Sequence, residues 1–180
     1  MTNLSISLLE SMHSVGGSFP FINKLMVFFA NYMIFILAGV MIYLWFFAKN
    51  KKRTRIMLLC CLLSFLLSEL IGKVVGIFYY HNQPFVSLHS INHLINHQID
   101  NSFPSDHTLL MFSICSMIYL FNRNKIGVFA IIIATLVSVS RMWVGVHWPI
   151  DVLVVALIGC FVSYIIYKVS FKIKVVKQQL

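Results

Sequence analysis

Charge is scarce in this sequence. Charged residues occupy 11% of its 180 positions, against about a quarter in an ordinary soluble domain, and 59% of the residues are hydrophobic. Such a balance excludes a conventional water-soluble globule. The four cysteines, Cys60, Cys61, Cys115 and Cys160, lie inside apolar stretches without metal-ligand spacing, so they read as small core hydrophobes. No internal repeat or low-complexity segment is visible, and with Glu10 ahead of the first apolar block no cleavable signal is expected.

The apolar residues come in blocks of membrane-spanning length. Leu25 to Ala48 holds 24 residues without a charge, and Ile56 to Tyr80 holds 25 interrupted only by Glu69 and Lys73. Pro104 to Phe121, Ile126 to Ser140 and Trp148 to Phe171 follow. The expected fold class is therefore all-α: a polytopic membrane helix bundle of about five transmembrane spans with short interfacial helices, forming one membrane-embedded domain over 1–180. The block from Ile126 to Ser140 is only 15 residues long, below the roughly 20 needed to cross a bilayer core. Either its helix runs on through Arg141 or its end sits below the lipid surface. Leu4, Ile6, Leu8, Leu9 and Met12 suit a short amphipathic stretch on the outer leaflet, broken by Gly16-Gly17 and Pro20 before the first span.

A formal net charge of +9 invites a nucleic-acid reading, but its distribution favours topology. Lys49, Lys51, Lys52, Arg53 and Arg55 fill the first inter-span loop, Arg123 and Lys125 the third, and Lys168, Lys172, Lys174 and Lys177 the tail. Five threaded spans put these 11 of the 14 basic residues on one side, leaving Lys24, Lys73 and Arg141. The excess of Lys and Arg in cytoplasmic loops then places the N-terminus outside and the C-terminus in the cytoplasm, with membrane lipids as partners and no nucleic acid. The same threading carries Lys73, the loop from His81 to Phe103, His107, Arg141, His147 and Asp151 to the outer face.

Those residues form three constellations. Glu69 and Lys73, four apart, share a helix face and can pair, either as a neutralised couple or with Glu69 orienting Lys73 toward an anion. Pro104-Ser105-Asp106-His107 precedes an apolar helix. Its Pro, Ser and Asp are ordinary helix-start residues, yet a helix N-terminus also offers free N–H groups to phosphate, and His107 in the first turn is suited to giving a proton to a leaving oxygen. The run Ser140-Arg141-Met142-Trp143-Val144-Gly145-Val146-His147-Trp148-Pro149-Ile150-Asp151 is the most informative. With a helix starting near His147, Asp151 lies four residues along on the same face. It can accept from one imidazole nitrogen and leave the other as a nucleophile. Trp143 and Trp148 suit membrane-interface anchors, while the fork of Arg141 suits bidentate phosphate contact. His89, His93 and His97 recur every four residues. On a helix they form a stripe that an amphipathic interfacial helix explains, with Ile91, Leu94 and Ile95 opposite, and no carboxylate or cysteine completes a zinc site.

Together these residues resemble the type-2 phosphatidic acid phosphatase superfamily, whose signature is K-x6-R-P, then P-S-G-H, then S-R-x5-H-x3-D. The third element matches in full from Ser140 to Asp151. The second matches at Pro104, Ser105 and His107, with Asp106 in place of glycine. In the first, Lys73 is followed by nine residues and then Gln83-Pro84, so glutamine stands where the pattern has arginine. The motif region spans 73–151. Within the superfamily, Asp106, the Asn82-Gln83-Pro84-Phe85 turn and the short length resemble the bacitracin-resistance type of undecaprenyl-diphosphate phosphatase. The resemblance implies hydrolysis of a polyprenyl diphosphate at the outer face of the bacterial cytoplasmic membrane, without metal or other cofactor. It implies His147 as nucleophile with Asp151 holding its tautomer, and His107 as acid and then base. Lys73, Ser105 and Arg141 would hold phosphoryl oxygens, with Gln83 and Ser140 as further phosphate-side groups and Glu69 and Asp106 in support. Phosphatidic acid or phosphatidylglycerol phosphate would suit the same fold, as would transfer of the phosphoryl group to a lipid acceptor. A non-catalytic lipid-phosphate binder or transporter is the alternative from another class.

Overall fold

The computed structural model describes residues 2–91 and 93–172. Seven helices account for most of them: α1 (Asn3–Ser18), α2 (Pro20–Phe47), α3 (Lys51–Phe78), α4 (Pro84–Ser87), α5 (Asp106–Asn122), α6 (Lys125–Trp143) and α7 (Pro149–Lys172). Among the described residues the extended structure is a lone bridge between Asn82 and Asn101. The helix starts follow local chemistry. Asn50 accepts from the Arg53 N–H and Asn124 from the N–H groups of Ile126 and Gly127, satisfying donors that a helix leaves free. Pro20, Pro84 and Pro149 each stand at a first helical position, where the missing N–H costs nothing.

α5 is the axis of the bundle. Most of its length, from Thr108 to Phe121, is buried against α3, α6 and α7. Toward one end Met57, Leu58, Cys61, Ile114, Met117, Val162 and Ile166 form a common core. A polar seam crosses it: the Ser64 and Ser163 hydroxyls are 2.7 Å apart, and Ser163 donates to the Ser113 carbonyl at 2.7 Å. Hydrogen bonds of this kind join helices where lipid offers no competing partner. Gly159 makes the α5–α7 approach possible, because a Cβ there would stand 2.9 Å from the Ser113 backbone nitrogen.

The exterior is apolar. α2 buries only Ala30, and Phe35, Ile42 and Phe47 on it, with Leu62, Leu66, Leu70 and Phe78 on α3, face outward. An apolar surface this extensive is what hydrocarbon covers. α2, α3, α6 and α7 are long and apolar enough to cross a membrane, and this is a multi-pass membrane protein. α6 runs on through Arg141 to reach 19 residues. α5, the remaining block of the five expected, has 17 residues, or about 25 Å of helix.

Every site residue predicted from sequence lies at one end of the bundle, and the loop basic residues lie at the other. At the basic end Arg53 donates to the Phe121 carbonyl at 2.6 Å, and the Arg55 guanidinium sits over the Trp45 ring. Lys174 and Lys177 of the expected basic tail lie outside the described residues. At the site end α1 continues through Gly16 and Gly17 and is turned only at Phe19-Pro20. Its Leu9 packs with Ile91, Met142, Trp148 and Val152.

Besides the expected break at Gly16-Gly17, two more expectations are corrected. Trp148 is not an interface anchor: its ring is buried, and Nε1 donates to the Asn82 carbonyl at 2.8 Å. The segment carrying His89, His93 and His97 forms no helix among its described residues. It is held instead by loop bonds such as Leu94 N–H to Val144 O, 3.2 Å, so the four-residue spacing makes no stripe.

Candidate active site

The site is organised by the link between α6 and α7. After Trp143 the chain turns through Gly145, whose φ of 83° lies in the left-handed region that glycine enters at little cost. Val144 and Val146 are buried beside Ala30 and Ile95, and their anchoring carries His147 into the interior. α7 begins only at Pro149, so His147 precedes the helix and does not share a helical face with Asp151.

The expected bond between these two residues is accordingly not formed. His147 Nδ1 lies 2.7 Å from the Ser102 carbonyl, which can only accept, so Nδ1 carries the proton and Nε2 keeps its lone pair. Asp151 reaches back to its own helix start, accepting from the Trp148 N–H at 3.2 Å, the capping geometry of an acidic residue at the third helical position. Its Oδ2 also accepts from Ser102 Oγ at 2.6 Å, and His81 Nε2 lies 3.0 Å from Oδ1. Asp151 is thus joined to His147 through Ser102, whose hydroxyl it holds and whose carbonyl holds the imidazole. Burial, followed by the nearby Arg141 charge, keeps His147 well below the ordinary imidazole range, while the Ser102 bond acts in the opposite direction. The imidazole is neutral at physiological pH.

Arg141, in the last turn of α6, is 2% exposed. One terminal nitrogen donates to the Ala30 carbonyl at 3.4 Å, and its buried Nε has no partner. Among the described residues no carboxylate lies within ion-pair distance. A buried cation without a counter-ion is costly unless an anion arrives to pair with it. Arg141, His97 and His147 are charged or titratable neighbours of His107 in the first turn of α5. The His97 ring also stands edge-to-face against His147, 6.3 Å between centroids. An arginine and three imidazoles are therefore grouped at this end of the bundle.

Lys73 lies beside this cluster. Exposed and paired with Glu69 at 3.1 Å, it lines a cavity of about 400 Å³ with Asp100, Asn101, Phe103, Pro104 and Asp106. Asp106 stands in the field of Glu69 and Asp100 as well as of Lys73 and Arg141, so its carboxylate has both negative and positive neighbours. Ser105 precedes α5 and donates to Thr108 Oγ1 at 3.1 Å.

Like Ser105, whose hydroxyl must leave Thr108 to reach an anion, two more residues assigned to the phosphate side have their donors engaged elsewhere. The buried Gln83 holds the outer loop, its Nε2 3.1 Å from His97 Nδ1 and its Oε1 accepting from the Asp100 N–H at 3.3 Å. Ser140 donates to Val137 O at 2.6 Å within its own helix. The sequence reading in turn missed His81 and Ser102. No pattern marked them, since His81 meets Asp151 only because the loop after α3 folds over the start of α7.

A multi-pass helical bundle that gathers a buried arginine and two histidines at one end is the class the fold defines: a membrane protein with a polar cluster suited to an anion. Residues 57–174 match the PAP2 superfamily, and the chain belongs to it. It is 35% identical over 99% of its length to the Bacitracin transport permease protein BcrC of Bacillus licheniformis, covering 87% of that protein. It is 29% identical to the Undecaprenyl-diphosphatase BcrC of Bacillus subtilis, over 93% of this chain and 84% of that one. Among solved structures, Aquifex aeolicus LpxE superposes with a TM-score of 0.77 at 25% identity, covering 93% of this chain and 96% of that one. The chain is an enzyme, a membrane phosphatase.

Proposed function

We propose that this enzyme removes the terminal phosphate of undecaprenyl diphosphate at the outer face of the bacterial cytoplasmic membrane, returning the monophosphate carrier to cell-wall synthesis. The observation that carries the reading is Arg141, buried and unpaired beside the free Nε2 of a neutral histidine. That combination calls for an anion with an electrophilic centre, and a phosphoryl group is both. The substrate comes from the relatives named as undecaprenyl-diphosphatases. The outer face comes from the basic residues gathered at the opposite end of the bundle. The chain acts as one membrane-embedded domain.

In the proposed reaction His147 Nε2 attacks the terminal phosphorus while the bond from phosphorus to the bridging oxygen breaks. Ser102 O holds the Nδ1 proton and stabilises the positive charge that the ring gains. His107, charged by a proton taken up together with the anionic substrate, donates it to the departing oxygen, and undecaprenyl phosphate leaves. His107, now neutral, takes a proton from water, whose oxygen attacks the phosphohistidine; the N–P bond breaks and inorganic phosphate is released. Arg141, Lys73 and Ser105 bind the equatorial oxygens, and the free N–H groups at the start of α5 add to that field. Glu69 orients Lys73, and Asp106 helps hold it over the cavity. Asp151 acts on His147 through Ser102.

The test is phosphate release by purified protein in detergent with excess chelator, from undecaprenyl diphosphate and from phosphatidic acid. Release favouring the diphosphate, abolished in His147→Ala, is expected. Turnover by that variant would remove His147 from the mechanism, and preference for phosphatidic acid would overturn the substrate. Activity that appears only on adding a divalent metal would overturn the metal-free route.

A further inference from the structure

One polar side chain at this site has no part in the reaction just described. His97 lies on the loop over the site, and its placement is built into the structure. Its Nδ1 is 2.9 Å from the Gln98 carbonyl and 3.1 Å from Nε2 of Gln83. Gln83 is itself buried and tied to the Asp100 backbone. The surrounding frame is anchored to the α6–α7 link by Phe85 N–H to Gly145 O and Leu94 N–H to Val144 O, both 3.2 Å. The Asp100 bond fixes the Gln83 amide with its NH2 toward His97, so Nδ1 accepts from Gln83 and takes no bond to the Gln98 carbonyl in this tautomer. The ring proton then sits on Nε2, an uncommitted donor on a ring that neighbours both His147 and His107.

The site is also graded in depth. Arg141, His147 and Ser105 are buried, whereas His97 and His107 are only partly so. A lipid diphosphate entering head-first brings its terminal phosphate to the deep group. Its second phosphate, attached to the lipid chain, stops at the level of His97 and His107. There His107 meets the bridging oxygen, leaving His97 Nε2 for the non-bridging oxygens of the leaving phosphate.

We infer that His97 binds the leaving phosphate and makes the enzyme selective for diphosphates. The inference rests on the diphosphate reading above. The leaving phosphate gains negative charge as the bridging bond breaks, so an N–H held against it stabilises the transition state more than the ground state.

The test compares wild type, His97→Phe and His97→Gln with farnesyl diphosphate as substrate and inorganic phosphate as inhibitor. Phenylalanine preserves a ring beside His147 and removes the donor, whereas glutamine preserves a donor. His97→Phe is expected to lower kcat/KM for the diphosphate about 10- to 150-fold, the range for a hydrogen bond to a charged group. Inhibition by inorganic phosphate, which reports the deep subsite, should stay within about twofold, the result expected when no bond to the charged group is lost. His97→Gln should recover most of the loss. An unchanged kcat/KM, a parallel weakening of phosphate inhibition, or equal losses in both variants would overturn the inference alone. A wild type inactive on the diphosphate but active on phosphatidic acid would overturn the substrate reading and this inference with it.

Discussion

Ser102 stands between the carboxylate of Asp151 and the imidazole of His147, and a double-mutant cycle measures whether it transmits the effect of one to the other. Its Oγ donates to Asp151 at 2.6 Å, and its carbonyl accepts from His147 Nδ1 at 2.7 Å. Ser102→Ala leaves the carbonyl in place but frees the segment from the carboxylate. Asp151→Asn leaves a single acceptor oxygen facing three donors, from Ser102, Trp148 and His81. A hydrogen bond to a buried charged group contributes about 1.5–3 kcal/mol. Fully expressed in the transition state, that is a loss of about 10- to 150-fold in kcat. If Asp151 acts through Ser102, the double variant falls little below the poorer single one, with a coupling of about 0.5–3 kcal/mol, as for residues in one network. The assay is steady-state phosphate release in detergent, with thermal unfolding of each variant measured in parallel. A nearly silent Ser102→Ala, or losses that simply multiply, would refute the relay and return Asp151 to a role independent of Ser102.

The remaining expectations concern pH and packing. His147 is held below the ordinary imidazole value of 6.5, so below about pH 6.5 the unfolded chain binds a proton that the folded enzyme does not. Substrate-free stability should therefore fall as pH falls, by at most about 1.4 kcal/mol per pH unit from this residue. Thermal unfolding of wild type and His147→Gln across that range should show a shallower slope in the variant; parallel slopes would show that His147 is not buried neutral. Gly159→Val should destabilise the bundle by about 1–3 kcal/mol through overpacking, because its Cβ would press on the Ser113 backbone. Leu157→Val, on an exposed part of the same helix, is the control, and equal thermal shifts would contradict the close α5–α7 contact.

The helices and the position of the site at one end were legible in the sequence because the rules behind them act over short stretches. Apolar runs must find hydrocarbon or a core, and basic loops sort to one end. Even the short block after Lys125 was resolved by its helix continuing through Arg141. His107, Arg141, His147 and Lys73 stood out as candidates because their residue types and spacing suit phosphoryl chemistry, and the fold places them at one end together. His81 and Ser102 had no such signal.

The partners of these side chains were set by the fold. His147 and Asp151 stand four apart, but Pro149 starts α7 after His147 and removes the shared helical face on which their direct bond depended. Asp151 takes partners 49 and 70 residues away, Gln83 turns to His97 instead of toward phosphate, and Trp148 is drawn inward by the Asn82 carbonyl. Sequence patterns constrain residues within a turn or two of one another. A hydrogen bond requires approach within about 3 Å, and for residues distant in the chain that distance is set by the packing of the whole bundle.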